Sequence, residues 1–177
     1  MRKIILNLAI SLDGYIADLN GGFDWIKGDG DVKCNTEKSF DFLAFMDNVD
    51  TVVMGAKAYE DCGIRDVMNY ESKRFIVATS RVLTGEKQVE FVNGDICGHV
   101  QLLQEQAGKD IWLFGGAGLT DAFIKKNIID EYIIGIIPIL LGSGRRLFLD
   151  DNPTIELHLD ECTVQEGITI LKYTRRN

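Results

Sequence analysis

The stretch Ile111–Ile124, IWLFGGAGLTDAFI, constrains this chain more than any other. Ile111–Phe114 is an apolar, β-favouring run. Gly115, Gly116 and Gly118 follow at once, and Leu119, Ala122, Phe123 and Lys126 then recur at helical spacing. The pattern reads as a buried strand, a glycine-rich turn and a helix start. Such a turn lets backbone amides approach a phosphate closely, with the positive end of the helix behind them. A tight strand-to-helix turn that binds nothing has the same local pattern, so the rest of the chain must decide between the two.

The 177 residues suit one domain, 1–177, with a substantial core. A net charge of −8 and a pI of about 4.8 argue against general nucleic-acid binding and against attraction to anionic membranes. They leave room for an anionic ligand held by a local cluster. The start, MRKIILNLAISLDGYIA, carries Asn7 within its apolar run and lacks the pattern of a signal peptide. Tyr132–Leu141 is about half a membrane span and contains Pro138. Cys34, Cys62, Cys97 and Cys162 form no CxxC, and neither histidine lies near one at metal-ligand spacing. Free thiols, no metal and a cytoplasmic location are therefore expected.

Lys3–Ile10 reads as a central strand covered on both faces. Asn35 or Thr36 is expected to cap a helix running to about Asp47. Asp50–Met54, Arg74–Thr79 and Val89–Val92 read as strands, with a brief helix around Ala56–Asp61. Cys97–Ala107 reads as a helix ended by Gly108. Glu131–Ile137 is a strand, Leu141–Arg146 a flexible basic loop, and Ile155–Thr163 with Ile168–Arg175 a closing antiparallel hairpin. Strands alternating with helices define an α/β fold, mostly parallel with antiparallel strands at the finish. Four strand ends, at Ala9-Ile10-Ser11, Gly55, Thr79-Ser80-Arg81 and Gly115-Gly116, are small or polar. Parallel strands bring such ends to one edge, where open α/β sheets bind ligands.

The order NLAISLDGYIA, FDW, VVMGAKAYE, TSR, LFGGAGL and IPILLGSGRRLF resembles the dihydrofolate reductase fold. It is most similar to stand-alone reductases resembling the C-terminal domain of the riboflavin-pathway pyrimidine reductase. The resemblance spans nearly the whole chain and implies a mixed sheet of about eight strands and a nicotinamide cofactor. It places Ala9 and Ile16 beside the nicotinamide, and Gly55 and the short helix after it toward the phosphates. Thr79, Ser80 and Arg81 then approach the adenosine ribose and its 2′-phosphate. Gly115, Gly116, Ala117, Gly118 and Leu119 wrap the diphosphate, with a cis peptide between Gly115 and Gly116. Ala56 and Ala58 stand where relatives usually carry Arg and Thr, and Lys57 is a substitute for one of them.

Hydride transfer asks a protein mainly to position its cofactor. Asp24 is the first candidate proton donor, because Phe23 and Trp25 flank it and would desolvate it; a solvated loop Asp is the alternative. Asp41 is the second candidate, with an exposed helix face as its alternative. Trp25 suits stacking on a flat ring or a place in the core, and Arg145, with Arg146, suits an anionic substrate group or a solvated turn. The expected function is NADPH-dependent reduction of a small heterocyclic or carbonyl-like substrate. A non-catalytic nucleotide-binding or sensor protein of the same fold is the alternative. A homodimer is expected through the final hairpin or the 132–141 stretch.

Overall fold

The computed structural model describes residues 1–62, 72–81 and 88–176. Its strands are β1 (Ile4–Ser11), β2 (Tyr15–Ala17), β3 (Val49–Gly55), β4 (Arg74–Ala78), β5 (Val89–Val92), β6 (Asp110–Gly115), β7 (Glu131–Ile137), β8 (Arg145–Arg146), β9 (Leu157–Gln165) and β10 (Ile168–Arg175). Its helices are α1 (Phe42–Asp47), α2 (Ala56–Asp61), α3 (Ile96–Gln104) and α4 (Ala117–Lys125).

Eight strands form one sheet in the order β5-β4-β3-β6-β1-β7-β10-β9. The pairs from β5 through to β7 are parallel, whereas β7–β10 and β10–β9 are antiparallel. This is the mixed, mostly parallel sheet that the alternation of elements predicts, with the hairpin added at one side.

Alternation along the central strands sends side chains to two cores. Ile4, Leu6, Val53, Ile76, Ile111 and Leu113 meet α3 and α4 on one face. Ile5, Val52, Met54, Phe75, Trp112 and Ile133 meet α1 on the other, with Ala56, Ala58 and Tyr59 of α2 against the same cluster. The first pair of helices has nine residues each and the second only six. Short helices cover the second face incompletely, and the sheet stays open there toward the carboxyl ends of its parallel strands.

Several boundaries differ from expectation for identifiable reasons. The first helix begins at Phe42 rather than after Asn35 or Thr36, with Asp41 as its cap accepting from Ala44 N–H at 2.9 Å. Thr36 is drawn instead to β9, where its N–H donates to Val164 C=O and its hydroxyl accepts from Val164 N–H, both at 3.0 Å. Helix α3 stops at Gln104, whose carbonyl accepts from Arg2 N–H at 3.2 Å, and does not reach Ala107. Strand β9 is displaced by two residues from the expected Ile155–Thr163. Glu166 and Gly167 both have positive φ (50° and 80°), the geometry of a two-residue hairpin turn.

The expected basic loop 141–146 is tethered. Asp13 accepts from Ser11 Oγ at 2.6 Å, Leu141 N–H at 3.1 Å and Gly142 N–H at 2.7 Å. Arg145 and Arg146 then pair with Ala17 and Tyr15 as the two-stranded β2–β8 ribbon. The Ser11 hydroxyl and these amides hold the Asp13 carboxyl down to about 2, against the opposing effect of desolvation.

Candidate active site

The uncovered part of the second face is a cleft of about 1050 Å³. Its floor follows from strand parity. Asn7 and Ala9 come from β1, Trp112 and Phe114 from β6, Gly135 and Ile137 from β7, and Ile168 and Ile170 from β10. Ala9 pairs with Gly135, and Gly135 with Ile170, so two small residues keep the middle of the floor low. Phe23, Ile26, Phe40 and Phe42 supply a wall. Phe42 and Phe114 meet Trp112 edge-on at centroid distances of 5.9 and 5.2 Å.

This wall is held in place from behind. Asp29 N–H donates to Glu166 C=O at 2.9 Å, and Asn35 Oδ1 accepts from Glu166 N–H at 2.7 Å. Gly28 lies so close to the hairpin turn that a Cβ there would sit 2.1 Å from Glu166 O. The C-terminal hairpin therefore supports a loop that is distant in sequence.

The opposite end of the cleft is built from backbone. Gly116 begins α4 without a side-chain cap, and the first intrahelical bond runs from Thr120 N–H to Gly116 C=O at 3.0 Å. The amides of Ala117, Gly118 and Leu119 precede that bond, and all three residues line the cleft. A Cβ built on Gly118 would meet nothing within 4 Å, so this helix start is open on its cleft side. The Gly115–Gly116 peptide is cis. Uncapped amides at a helix N-terminus, free of intruding side chains, fit the diphosphate of a nicotinamide dinucleotide.

Of the residues singled out from sequence, Ala9, Ile16, Gly55, Lys57, Gly116, Ala117, Gly118, Leu119 and Arg145 line this cleft. Gly115 lies just behind it. Thr79, Ser80 and Arg81 fall outside the lining. Their strand, β4, is one place further out than β3, whose Gly55 lines the cleft, and Arg81 forms an exposed ion pair with Glu60. Asp24 is exposed and outside the lining, so its neighbours do not desolvate it: Phe23 is itself 43% exposed. Trp25 turns into the core, where its indole N–H donates to Gly22 C=O at 3.1 Å. Asp41 is exposed and engaged as the α1 cap.

Sequence reasoning missed Asn7, Phe40, Phe42, Trp112, Phe114, Gly135, Ile168 and Ile170 as cleft residues. Two carried a readable signal. Asn7 interrupts an apolar central strand, and Gly135 interrupts the run EYIIGII, where an interior glycine marks a close approach. The charged lining residues form one group at the mouth. Asp61 stands 3.4 Å from Lys57 and 3.8 Å from Arg145. Burial, reinforced by Asp61, pushes the adjoining Cys62 thiol up, which disfavours a thiolate there.

An open, mostly parallel sheet with an uncapped helix start beside an aromatic-walled cleft defines the dihydrofolate reductase-like class of α/β proteins. Within that class, the chain belongs to the RibD C-terminal domain family, whose model matches residues 2–170. It is similar to two Bacillus subtilis proteins, the uncharacterized YyaP and YwjB. The identities are 32% and 36%, over 97% and 98% of this chain and 94% and 98% of theirs. It is also similar to a crystal structure from Shewanella sp. PV-4 that carries a riboflavin-biosynthesis name. That match has a TM-score of 0.81 and 29% identity, and it covers 100% of both chains. An Enterococcus faecalis dihydrofolate reductase complexed with NADP(H) shares the fold, with a TM-score of 0.69 and 15% identity over 99% of this chain and 97% of that one. The RibD-like fold is what these relatives share with the chain. Among the described residues, no helix is long and apolar enough to cross a membrane.

Proposed function

We propose that this protein is an NADPH-dependent reductase of a small planar heterocyclic or carbonyl-like substrate. One observation carries the reading: a single cleft joins a side-chain-free helix start to an apolar, aromatic-walled floor. Bound NADPH would supply the hydride. The chain's own contribution is to hold and orient. The amides of Ala117, Gly118 and Leu119 bind the diphosphate, with Gly115 and Gly116 forming the turn before them. Ala9 and Ile16 border the nicotinamide, and Gly55 admits the cofactor past the end of β3. The floor at Trp112, Phe114, Gly135, Ile168 and Ile170 offers an apolar surface on which a flat substrate ring would lie.

The 2′-phosphate is the finer part of the reading. Thr79, Ser80 and Arg81 form one edge of that subsite, and Lys57 reaches it from α2. Arg81 and Lys57 face Glu60 and Asp61 in exposed pairs, which are worth at most about 1 kcal/mol each. A charge-assisted contact to a phosphate is worth about 1.5–3 kcal/mol, so exchange of partners is favoured. Asp24 and Asp41 are exposed and lie outside the lining, and neither is assigned the proton; water entering the open cleft supplies it. Arg145 faces the substrate at the mouth.

NADPH fluorescence with purified protein, followed by substrate-dependent oxidation over a panel of heterocycles, tests the reading. Arg81→Ala is expected to weaken NADPH several-fold and to leave NADH unchanged. Equal binding of both cofactors in wild type, with neither altered by Arg81→Ala, would remove the phosphate subsite. The small apolar Ala56 and Ala58 favour a second reading, a nucleotide-binding sensor, which NADPH binding without oxidation by any member of the panel would support. A homodimer is proposed from the exposed apolar Leu140, Phe148, Leu149 and Leu159, and a monomer mass by light scattering counts against it.

A further inference from the structure

The register of β3 against β4 decides what surrounds Arg81. Gly55 pairs with Ala78, so the chain enters α2 beside the point where residues 79–81 leave β4. Just over one turn into α2, Glu60 meets the Arg81 guanidinium in an ion pair. The backbone on the β4 side is held locally. Arg81 N–H donates to Thr79 Oγ1 at 3.0 Å, and Asn93 Nδ2 donates to Ser80 C=O at 3.3 Å. The next residue of α2, Asp61, is divided between Lys57 and Arg145. Ala56 and Ala58 bring no polar side chain to this corner. Among the described residues of 55–61 and 79–81, Arg81 is the one guanidinium, the group that grips a phosphate through two parallel bonds.

A carboxylate and a phosphate present the same pair of oxygens to a guanidinium. Glu60 therefore occupies the donors that a phosphate needs. A phosphate that takes Arg81 must first displace Glu60, and it then sits beside the displaced carboxylate, a second anion that repels it. A ligand with a free hydroxyl in that place leaves the pair intact and meets neither cost. The side chains of Arg81 and Glu60 are 57% and 55% exposed, so water screens the pair and the penalty is small enough to set selectivity without preventing binding. We propose that Glu60 is a specificity-determining residue: it stands in for the 2′-phosphate on Arg81 and limits how far the site prefers a 2′-phosphorylated adenosine over one with a free 2′-hydroxyl. The assignment deepens the reductase reading and rests on it for the place of the adenosine ribose.

The test is a calorimetric titration of the full chain with adenosine 2′,5′-bisphosphate and with adenosine 5′-monophosphate, which differ only in the 2′-phosphate. Glu60→Gln keeps the shape of the side chain and removes its charge. It should tighten the bisphosphate about three- to fivefold and leave the monophosphate nearly unchanged. On an Arg81→Ala background, the same Glu60→Gln change should give no gain, because there is no guanidinium to release. An unchanged ratio of the two affinities in Glu60→Gln would overturn the proposal. Equal tightening of both ligands would also overturn it, since that is the effect of net charge alone. So would a gain that survives in Arg81→Ala, which would place the action of Glu60 elsewhere. Neither probe carries a nicotinamide. Failure of the protein to oxidise NADPH with any substrate therefore counts against the reductase reading and leaves this contrast legible, whereas failure of both probes to bind wild type and Glu60→Gln overturns the adenosine site and the assignment together.

Discussion

The two ends of the parallel strands treat polar groups in opposite ways. At the amino ends, charged side chains are locked to one another. Arg2 reaches Asp50, Thr51 and the Lys109 carbonyl, while Asp50 also accepts from Lys109 N–H at 2.8 Å. Asp130 accepts from Ile4 N–H, Gln104 and Arg175 at 2.9, 2.7 and 2.9 Å. Glu131 holds Lys3 and Lys172, and the bond to Glu131 raises the Lys3 pKa. At the carboxyl ends, the start of α4 is uncapped, Asn7 Nδ2 is unpartnered, and apolar rings are left facing a cleft. Satisfied polar groups stabilise a fold. Unsatisfied ones are tolerated where a ligand completes them. One end of the sheet is thus closed on its own polar groups, and the other leaves groups open beside the cleft.

Four changes sharpen or break that contrast, from the largest effect to the smallest. Asp50→Ala leaves Arg2, whose side chain is 6% exposed, without its carboxylate. The expected loss is about 3 kcal/mol, the low end for a broken buried pair because Asp50 is itself 35% exposed. Urea unfolding measures it, and an NADPH affinity that fell in proportion would show the two ends to be coupled. Gly28→Ala forces a Cβ against Glu166 O and should cost about 1–3 kcal/mol. It should also displace the Phe23–Ile26 wall, weakening a heterocyclic substrate more than NADPH; equal weakening would mean the hairpin supports both halves of the cleft.

Gly116→Val reverses the pattern. Its backbone φ of −74° admits other residues, but a Cβ would meet Ile16 Cδ1 at 3.8 Å, and the branched methyls would crowd the cleft. NADPH should weaken by at least about tenfold, with a stability change under about 1 kcal/mol. Equal loss of both would reduce the glycine to a structural role. The smallest effect is a pH dependence. The Asp13 carboxyl is held at about 2, below its ordinary 3.8, so its contribution is fully present above the unfolded value and is lost as pH falls through about 2. Asp13→Asn should flatten the acid side of the thermal-midpoint profile between about pH 5 and 2. An unchanged profile would show that the 139–144 loop holds without this carboxylate.

Much of the architecture was legible because it depends on local pattern. The strands Val89–Val92, Glu131–Ile137 and Ile168–Arg175 and the helix Ala56–Asp61 stand where apolar runs and spacing put them. Long-range bonds moved the rest. Thr36 has the chemistry of a helix cap, but Val164, 128 residues away, claims its hydroxyl, and Asp41 caps the helix instead. Asp13-Gly14 has the local chemistry of a turn, whereas its hold on Leu141 and Gly142 is long-range. Asp24 drew attention because aromatic neighbours in sequence suggest desolvation. In space, Trp25 turns inward and Asp24 outward, since consecutive side chains in an irregular loop need not share a face.

By itself, the sequence determined the alternation of strands and helices, the antiparallel finish and the glycine-rich start of α4. These follow from hydrophobic period, turn chemistry and the few residues that permit a tight approach. It also brought four strand ends to one edge, because parallel strands carry their carboxyl ends together. Only the tertiary structure decided which of those ends share a cleft. Strand order sets Gly55, Gly116 and Ala9 side by side and leaves Thr79–Arg81 outside the lining. It likewise decided that Asn7, Gly135 and Ile170 meet on one floor, since β1, β7 and β10 are neighbours in space and far apart in the chain. Adjacency across a sheet is set by the packing of all its strands at once, and no local window of sequence contains it.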